Sequence, residues 1–256
     1  MDTATAIGVG GGLVVIVTAN VLEGGNPMAL IQIPAMLLVF GTTILVSMAG
    51  GTMSDLKGAI GGLKRAFTGN VQPAGDIVPT VVSLADRARR EGLLALEDAM
   101  KDIEDEFLVK GVTLAIDGTD PEEVRDILEG EMIARGRSDK RAAKFFADAG
   151  AYAPTIGIIG TVMGLVHVLE NLAAPEKLGE LIAAAFIATL WGVMSANVIW
   201  LPIGNRLKRL SELEVSRMEI IVEGVAAIQS GANPRVIHHR LVSLLPADQQ
   251  PAAEAA

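Results

Sequence analysis

From Leu181 to Asn205 the chain carries no Asp, Glu, Lys or Arg. In lipid every backbone N–H and C=O must find its partner inside the protein, so a charge-free run of this length that lacks the alternation of a strand is predicted to be a membrane-spanning helix. Within it Ala184, Ala188, Gly192 and Ala196 recur every four residues, which lays a ridge of small side chains down one helical face. Lipid tails are as apolar as leucine. Helices in a bilayer therefore associate through close backbone approach and interhelical hydrogen bonds. The run Pro154 to Val166 has the matching character, with Gly157, Gly160 and Gly164 at helical spacing and Thr155 and Thr161 among them. The stretch Ala149 to Asn205 is predicted to hold two helices built for helical partners.

The N-terminal part repeats the theme. Thr3 to Leu22 is uncharged and, at about 1.5 Å per residue, just crosses a hydrocarbon core of roughly 30 Å. Gly24-Gly25-Asn26-Pro27 reads as a turn, and the next charge-free run reaches Ser54, with Pro34 to Gly50 its most apolar part. The first Lys or Arg is Lys57, so the start lacks the basic region of a cleavable signal and is read as a retained span. The fold class that follows is all-α: a polytopic membrane protein with four transmembrane helices and a helical cytoplasmic domain between spans 2 and 3. The expected boundaries are 1–54 for the first two spans, 55–148 for the soluble domain, 149–205 for spans three and four, and 206–256 for a cytoplasmic amphipathic helix and tail.

Residues 55–148 hold most of the charged side chains. Val78, Val81, Val82 and Ala85 form an amphipathic face leading into Arg87-Ala88-Arg89-Arg90-Glu91-Gly92. Leu93, Leu96, Met100, Ile103 and Phe107 then recur at three and four residues, with acids and Lys101 between them, and predict a second helix. Asp120-Pro121-Glu122-Glu123 predicts a helix start with an acid at the N-cap, proline in the first turn and a capping box. That helix is expected to reach at least Met132 and could continue past Gly136 to the membrane. Met218, Ile221 and Val225 mark a further amphipathic helix ending near Gln229, and the Ala-, Pro- and Gln-rich end from Pro246 is expected to be disordered.

Charge sets orientation and excludes partners. Lys57, Lys64 and Arg65 follow span two, Arg137, Lys140, Arg141 and Lys144 precede span three, and Arg206, Lys208 and Arg209 follow span four, whereas the two short links hold only Lys177. The positive-inside rule then places both termini and residues 55–148 in the cytoplasm. A formal net charge of -9 argues against nucleic acid, and the absence of cysteine removes disulfides and thiolate chemistry. No nucleophile–base pair, metal cluster or phosphate loop stands out, so no enzyme and no cofactor are expected.

No acid or base lies in the middle of any predicted span. A protein that carries cations through a membrane normally needs an intramembrane acid, so an ion-conducting assembly would have to borrow one from another chain. The polar groups available in spans three and four are Thr155, Thr161, Thr189, Ser195, Asn197 and His167. Each threonine has a plain alternative, a bond to its own carbonyl one turn back. His167 reads more readily as interfacial than as a proton relay. Pro154 is either a first-turn proline or an interior kink, and Pro202 either ends the fourth span or bends it.

In its order of spans and in its local words the chain resembles the MotA/PomA family of flagellar stator proteins. Ala88-Arg89-Arg90-Glu91-Gly92-Leu93-Leu94-Ala95-Leu96-Glu97 is similar to that family's basic-Gly-x-x-Ala-Leu-Glu segment, Ala153-Pro154 through Val166 to its third-span signature, and Ala188-Thr189-Leu190-Trp191-Gly192 with Pro202 to its fourth. Gly224 to Arg235 is similar to its tail. The resemblance implies an A subunit, several copies of which, a pentamer, surround two B subunits that supply the missing ion-binding aspartate. It implies torque on the rotor protein FliG through Arg89 and Glu97, helped by Arg90 and Asp98. It makes Pro154 and Pro202 the residues that couple ion occupancy to shape. Thr161 and Thr189 become the hydroxyls of the ion path, and Gly157, Gly160, Gly164, Ala188 and Gly192 the packing positions.

The transported ion is H+ or Na+. A hydroxyl at Thr161 suits a dehydrated cation and favours sodium, while two acids of sodium-driven members stand here as Met100 and Gln32 and pull toward the proton. The alternative reading is a TolQ/ExbB-type proton-driven transducer, which has three spans and its large loop after the first.

Overall fold

A computed structural model describes residues 3–246 and 249–250. Among the described residues every regular element is helical. Close contacts divide the chain into two compact units, Met1–Asn70 with Ser138–Arg209 and Val71–Arg137 with Leu210–Ala256.

The first unit holds the apolar helices. α1 (Ala4–Leu22) has no buried residue and stops at Glu23, where Gly24 takes φ 81°. Asn26 then accepts the Met28 amide at 3.0 Å through its side chain and opens a short turn on Pro27. α2 (Ile33–Met36) and α3 (Thr42–Ala49) are joined by a π turn, Leu37–Gly41, into one rod, Ile33–Ala49. α4 (Met53–Thr68) starts with a complete capping box, in which the Thr52 hydroxyl accepts the Asp55 amide and the Asp55 carboxylate accepts the Thr52 amide. The Thr52 hydroxyl also donates to the Asp55 carboxylate at 2.8 Å, and this bond first, then the one from the Thr52 amide, with Arg141 nearby, holds the Asp55 carboxyl below its usual range. Ala59, Gly62 and Ala66 turn inward from α4 against Ala142, Phe146 and Leu207, and Arg65 pairs with Asp139 at 2.6 Å.

In the second unit Val78, Val81 and Ala85 of the predicted face of α5 (Val78–Glu91) are buried, Leu84 joins them, and Val82 is half-buried against the same core. Gly92 closes α5 at φ 86°, a conformation that a Cβ disfavours. The single helix expected across Leu93 to Phe107 does not form. A 3-10 turn, Leu93–Ala95, and the short α6 (Leu96–Met100) come first, the chain breaks at Lys101–Glu104, and α7 (Glu106–Ile116) begins afresh with the Asp105 carboxylate accepting the Leu108 amide at 3.0 Å. All five apolar residues still face the core. Spacing of three and four marks a common inward side, which a turn, a short helix and a loop present as well as one helix does.

α8 (Pro121–Glu170) opens with Asp120 accepting the Glu122 amide at 2.9 Å, as an N-cap acid should. It then runs without interruption to Glu170. α9 (Pro175–Ser195), a π turn (Ala196–Trp200) and α10 (Leu201–Gln229) likewise form one continuous helix, Pro175–Gln229. α8 and α10 each contribute to both units. Among the described residues three helices are long and apolar enough to cross a membrane, Ala4–Leu22, Pro121–Glu170 and Pro175–Gln229, and the shorter apolar rod Ile33–Ala49 is consistent with a fourth span.

The last helix among the described residues is α11 (Pro234–Ser243), capped by Asn233 and packed on α5 through Ile237 and Leu241, both fully buried. Glu223 on α10 sits between Arg125 at 3.0 Å and Arg240 at 2.5 Å, so α8, α10 and α11 share one carboxylate. Of the end expected to be disordered, 247–248 and 251–256 lie outside the described residues. Gln249 accepts the Gly75 amide and Gln250 donates to the Leu245 carbonyl, which ties that part of the end to the second unit.

Candidate functional site: a hydroxyl pair in a close helix crossing

The glycines of α8 and the small residues of α9 meet. A Cβ placed on Gly157 would lie 2.9 Å from the Ala188 carbonyl oxygen and 3.1 Å from Thr189 Cα, and one on Gly160 would lie 2.6 Å from Ala188 Cβ. At Gly164 it would meet Ala185 Cβ at 2.5 Å, and at Gly192 the Ala153 carbonyl at 2.7 Å and Gly157 Cα at 3.0 Å. Backbone touches backbone here, which only glycine and alanine permit. Ala188 and Gly192 stand where the four-residue ridge put them, but the third contact is Ala185, and Ala184 lies off the crossing.

That approach brings two hydroxyls together. Thr161 and Thr189 are in direct Oγ–Oγ hydrogen-bond contact. Thr161 reaches the Ala185 carbonyl at 3.0 Å and the Gly157 carbonyl at 3.3 Å, while Thr189 reaches the same Gly157 carbonyl at 3.2 Å. Two protons serve these contacts, and each hydroxyl keeps acceptor capacity. The bond of Thr161 to its own helix is thus only one of several, and those to α9 set it apart from a threonine that merely caps its own turn. Both side chains are half-buried. The result is a small cluster of neutral oxygens in a charge-free part of two apolar helices.

The remaining polar candidates stay local. Thr155 donates to the Tyr152 carbonyl at 2.8 Å, Ser195 to Gly192 at 3.2 Å, and Asn197 to Val193 at 2.8 Å. His167 is exposed, 3.8 Å from Glu170 on its own helix. Trp191 supplies a contact that spacing did not suggest, its indole N–H donating to the Leu30 carbonyl at 2.7 Å and tying the turn before α2 to α9. Phe40 packs edge-on against the same ring, 5.7 Å between centroids.

Both prolines lie within helices, which removes the two simpler readings. Pro154 is inside α8, far from its first turn, and with no N–H it leaves the Gly150 carbonyl without the usual donor. Pro202 does not end the helix: it stands in α10 just after the π turn, where the Leu201 amide bonds back five residues to Ala196. A widened turn is one way for a helix to continue past a residue that cannot donate.

In the second unit Arg89, Arg90, Glu97 and Asp98 are all exposed, on α5 and α6. Arg90 pairs with Asp86, and Asp98 with Lys101 at 2.8 Å. The Lys101 ammonium holds the Asp98 carboxyl below its usual range, and Asp98 raises Lys101 in turn. Arg89 and Glu97 make no ion pair among the described residues.

Comparison with known proteins decides the family. Residues 99–220 match the profile of the MotA/TolQ/ExbB proton channel family. Motility protein A of Bacillus subtilis is 36% identical over 248 residues, covering 96% of this chain and 92% of that protein. The chain belongs to the MotA/PomA family. Chemotaxis protein PomA of Vibrio alginolyticus is 34% identical over 245 residues, covering 96% of both chains. The solved structure of C. jejuni MotAB matches with a TM-score of 0.91 at 31% identity over 97% of each chain, and the MotAB stator complex of Bacillus subtilis with 0.88 at 36%, over 96% of this chain and 97% of that one. These full-length matches favour the flagellar stator over the TolQ/ExbB reading. As a MotA/PomA-family chain with several apolar helices, the protein fits a multi-pass inner-membrane stator subunit.

Proposed function

We propose that this chain is the A subunit of an ion-driven flagellar stator. It surrounds a B subunit, as an oligomer that the family implies is a pentamer, and passes ions along the face that carries Thr161 and Thr189. The observation that carries the reading is the hydroxyl pair locked across the α8–α9 crossing in spans that hold no acid of their own. Cation transfer through lipid calls for a carboxylate, and a B-subunit helix supplies it. Relatives of this chain are seen with such a partner in the MotAB complexes.

Sodium is favoured over the proton, since the Thr161 hydroxyl and its neighbouring carbonyls are hard oxygen ligands that a dehydrated cation uses and a proton does not need. Ion binding and release bend α8 and α10 at Pro154 and Pro202. Arg89 and Glu97, with Arg90 and Asp98 beside them, steer the charged surface of the second unit onto FliG. Both termini and residues 55–148 face the cytoplasm, as the distribution of Lys and Arg supports.

Expressed alone, the chain should give no ion leak, and expressed with its B partner it should give one. Leak from the A chain alone would overturn the borrowed-acid argument. Thr161→Ala should reduce swimming more steeply in low than in high sodium; equal loss at both would remove sodium from the proposal.

A further inference from the structure

Two hydroxyls inside the first unit have no partner. Thr43 and Ser47 stand one turn apart on α3 at 0% and 3% exposure, and neither oxygen makes a hydrogen bond among the described residues. A threonine in a membrane helix ordinarily donates to the carbonyl one turn back. For Thr43 that acceptor is the Val39 carbonyl, which belongs to the π turn and already accepts the Thr42 amide.

A third buried polar atom belongs to a helix of the same unit. Trp200 Nε1 has no acceptor among the described residues, whereas the other tryptophan, Trp191, is satisfied by Leu30. Two residues of the same rod frame Trp200. Phe40, one turn before Thr43, has its ring centroid 6.2 Å from that of Trp200, and Met48, next to Ser47, packs with Trp200 on the Phe145–Phe146–Leu207 cluster. Phe40 and Trp200 each belong to a π turn.

We propose that Thr43, Ser47 and the Trp200 indole N–H hold an ordered internal water site between the rod Ile33–Ala49 and the π turn that ends at Trp200. The donor set selects the ligand. The indole N–H only donates, so the occupant must accept; the hydroxyls both donate and accept, so it must do both. Water meets these requirements, and buried polar groups of this kind recruit it. A metal cation faces the wrong end of the indole dipole and finds no carboxylate on α3 or in the charge-free run that carries Trp200, and an anion finds no base there. The site is separate from the Thr161–Thr189 pair.

The chain, labelled with 5-fluorotryptophan and held with its B partner in lipid nanodiscs, gives one fluorine-19 resonance per tryptophan. Replacing H2O by D2O should shift the Trp200 resonance and leave Trp191 unmoved. Thr43→Val and Ser47→Ala should each shrink that isotope shift and Thr43→Ser should keep it, with the Trp191 resonance position reporting intact packing. No isotope shift at Trp200 in the unsubstituted chain, or one that survives both Thr43→Val and Ser47→Ala, would overturn the site. A Trp200 resonance that follows sodium concentration would overturn water as the ligand.

Discussion

Replacing Gly157 with alanine tests the crossing on which the hydroxyl pair depends. The new methyl would sit 2.9 Å from the Ala188 carbonyl oxygen, at least 0.5 Å inside the 3.4 Å where ordinary contact begins, and close also to Thr189 Cα and Gly192 Cα. All three atoms are backbone, so no side chain can swing away and the helices must part. Overpacking of this kind costs about 1–3 kcal/mol. The parting also loosens the interhelical bonds of Thr189 to the Gly157 carbonyl and of Thr161 to the Ala185 carbonyl, each about 0.6 kcal/mol in a membrane. The sum is a loss of about 2–4 kcal/mol. Gly179→Ala is the control, on α9 with nothing within 4 Å of the added carbon, and should gain up to about 1 kcal/mol of helix propensity. Thermal unfolding in detergent, followed by the fluorescence of Trp191 beside Gly192, compares the two. Equal midpoints would refute the close approach and with it the cause of the hydroxyl contact.

The outer surface and the helix caps give further tests. Arg89→Glu and Glu97→Arg should each cut swimming torque while ion conduction with the B partner stays intact; normal swimming in both variants would discard those residues as the rotor contact. Because the folded Asp55 carboxyl is held below its ordinary value of 3.8, first by its bonds from Thr52, its stabilisation of α4 is complete above the unfolded carboxylate's pKa and fades as pH falls through the lower folded one. Thr52→Ala removes the hydroxyl and keeps the residue-52 amide, so it should move the Asp55 titration part of the way back toward its ordinary value, read by carbon-13 NMR of the aspartate carboxyls; an unchanged titration would assign the shift to that amide and Arg141 instead.

What the sequence revealed and what it hid divide along physical lines. Charge-free runs announced the apolar helices because lipid allows few alternatives, and the inward residues of the second unit were legible as a spacing. Hydrogen-bond register was not legible. The π turns at Leu37–Gly41 and Ala196–Trp200 slip the ladder by a residue without altering which side chains are apolar. The break after Met100 depends on Asp105 capping a new helix at no cost to the inward pattern. α11 was passed over although its signals were present: Asn233 and Pro234 at the start, Ile237 and Leu241 one turn apart.

The small-residue crossing shows the limit most clearly. A ridge counted in fours selected Ala184, and the contact uses Ala185. Gly157, Gly160 and Gly164 step by three and then four, and their partners Gly192, Ala188 and Ala185 step back by four and then three. Both strips close after seven residues, the repeat by which two helices stay in register across two turns. One strip read alone leaves Ala184 and Ala185 equally open, since each extends a plausible face. Laying the two strips antiparallel and requiring equal length removes Ala184, because a step from Ala188 to it would outrun the glycines by one residue. The carbonyl that Thr161 reaches is then fixed as well, for it is the Ala185 carbonyl, and a chain with its alanine moved to the neighbouring position would bring a different backbone oxygen to the hydroxyl pair.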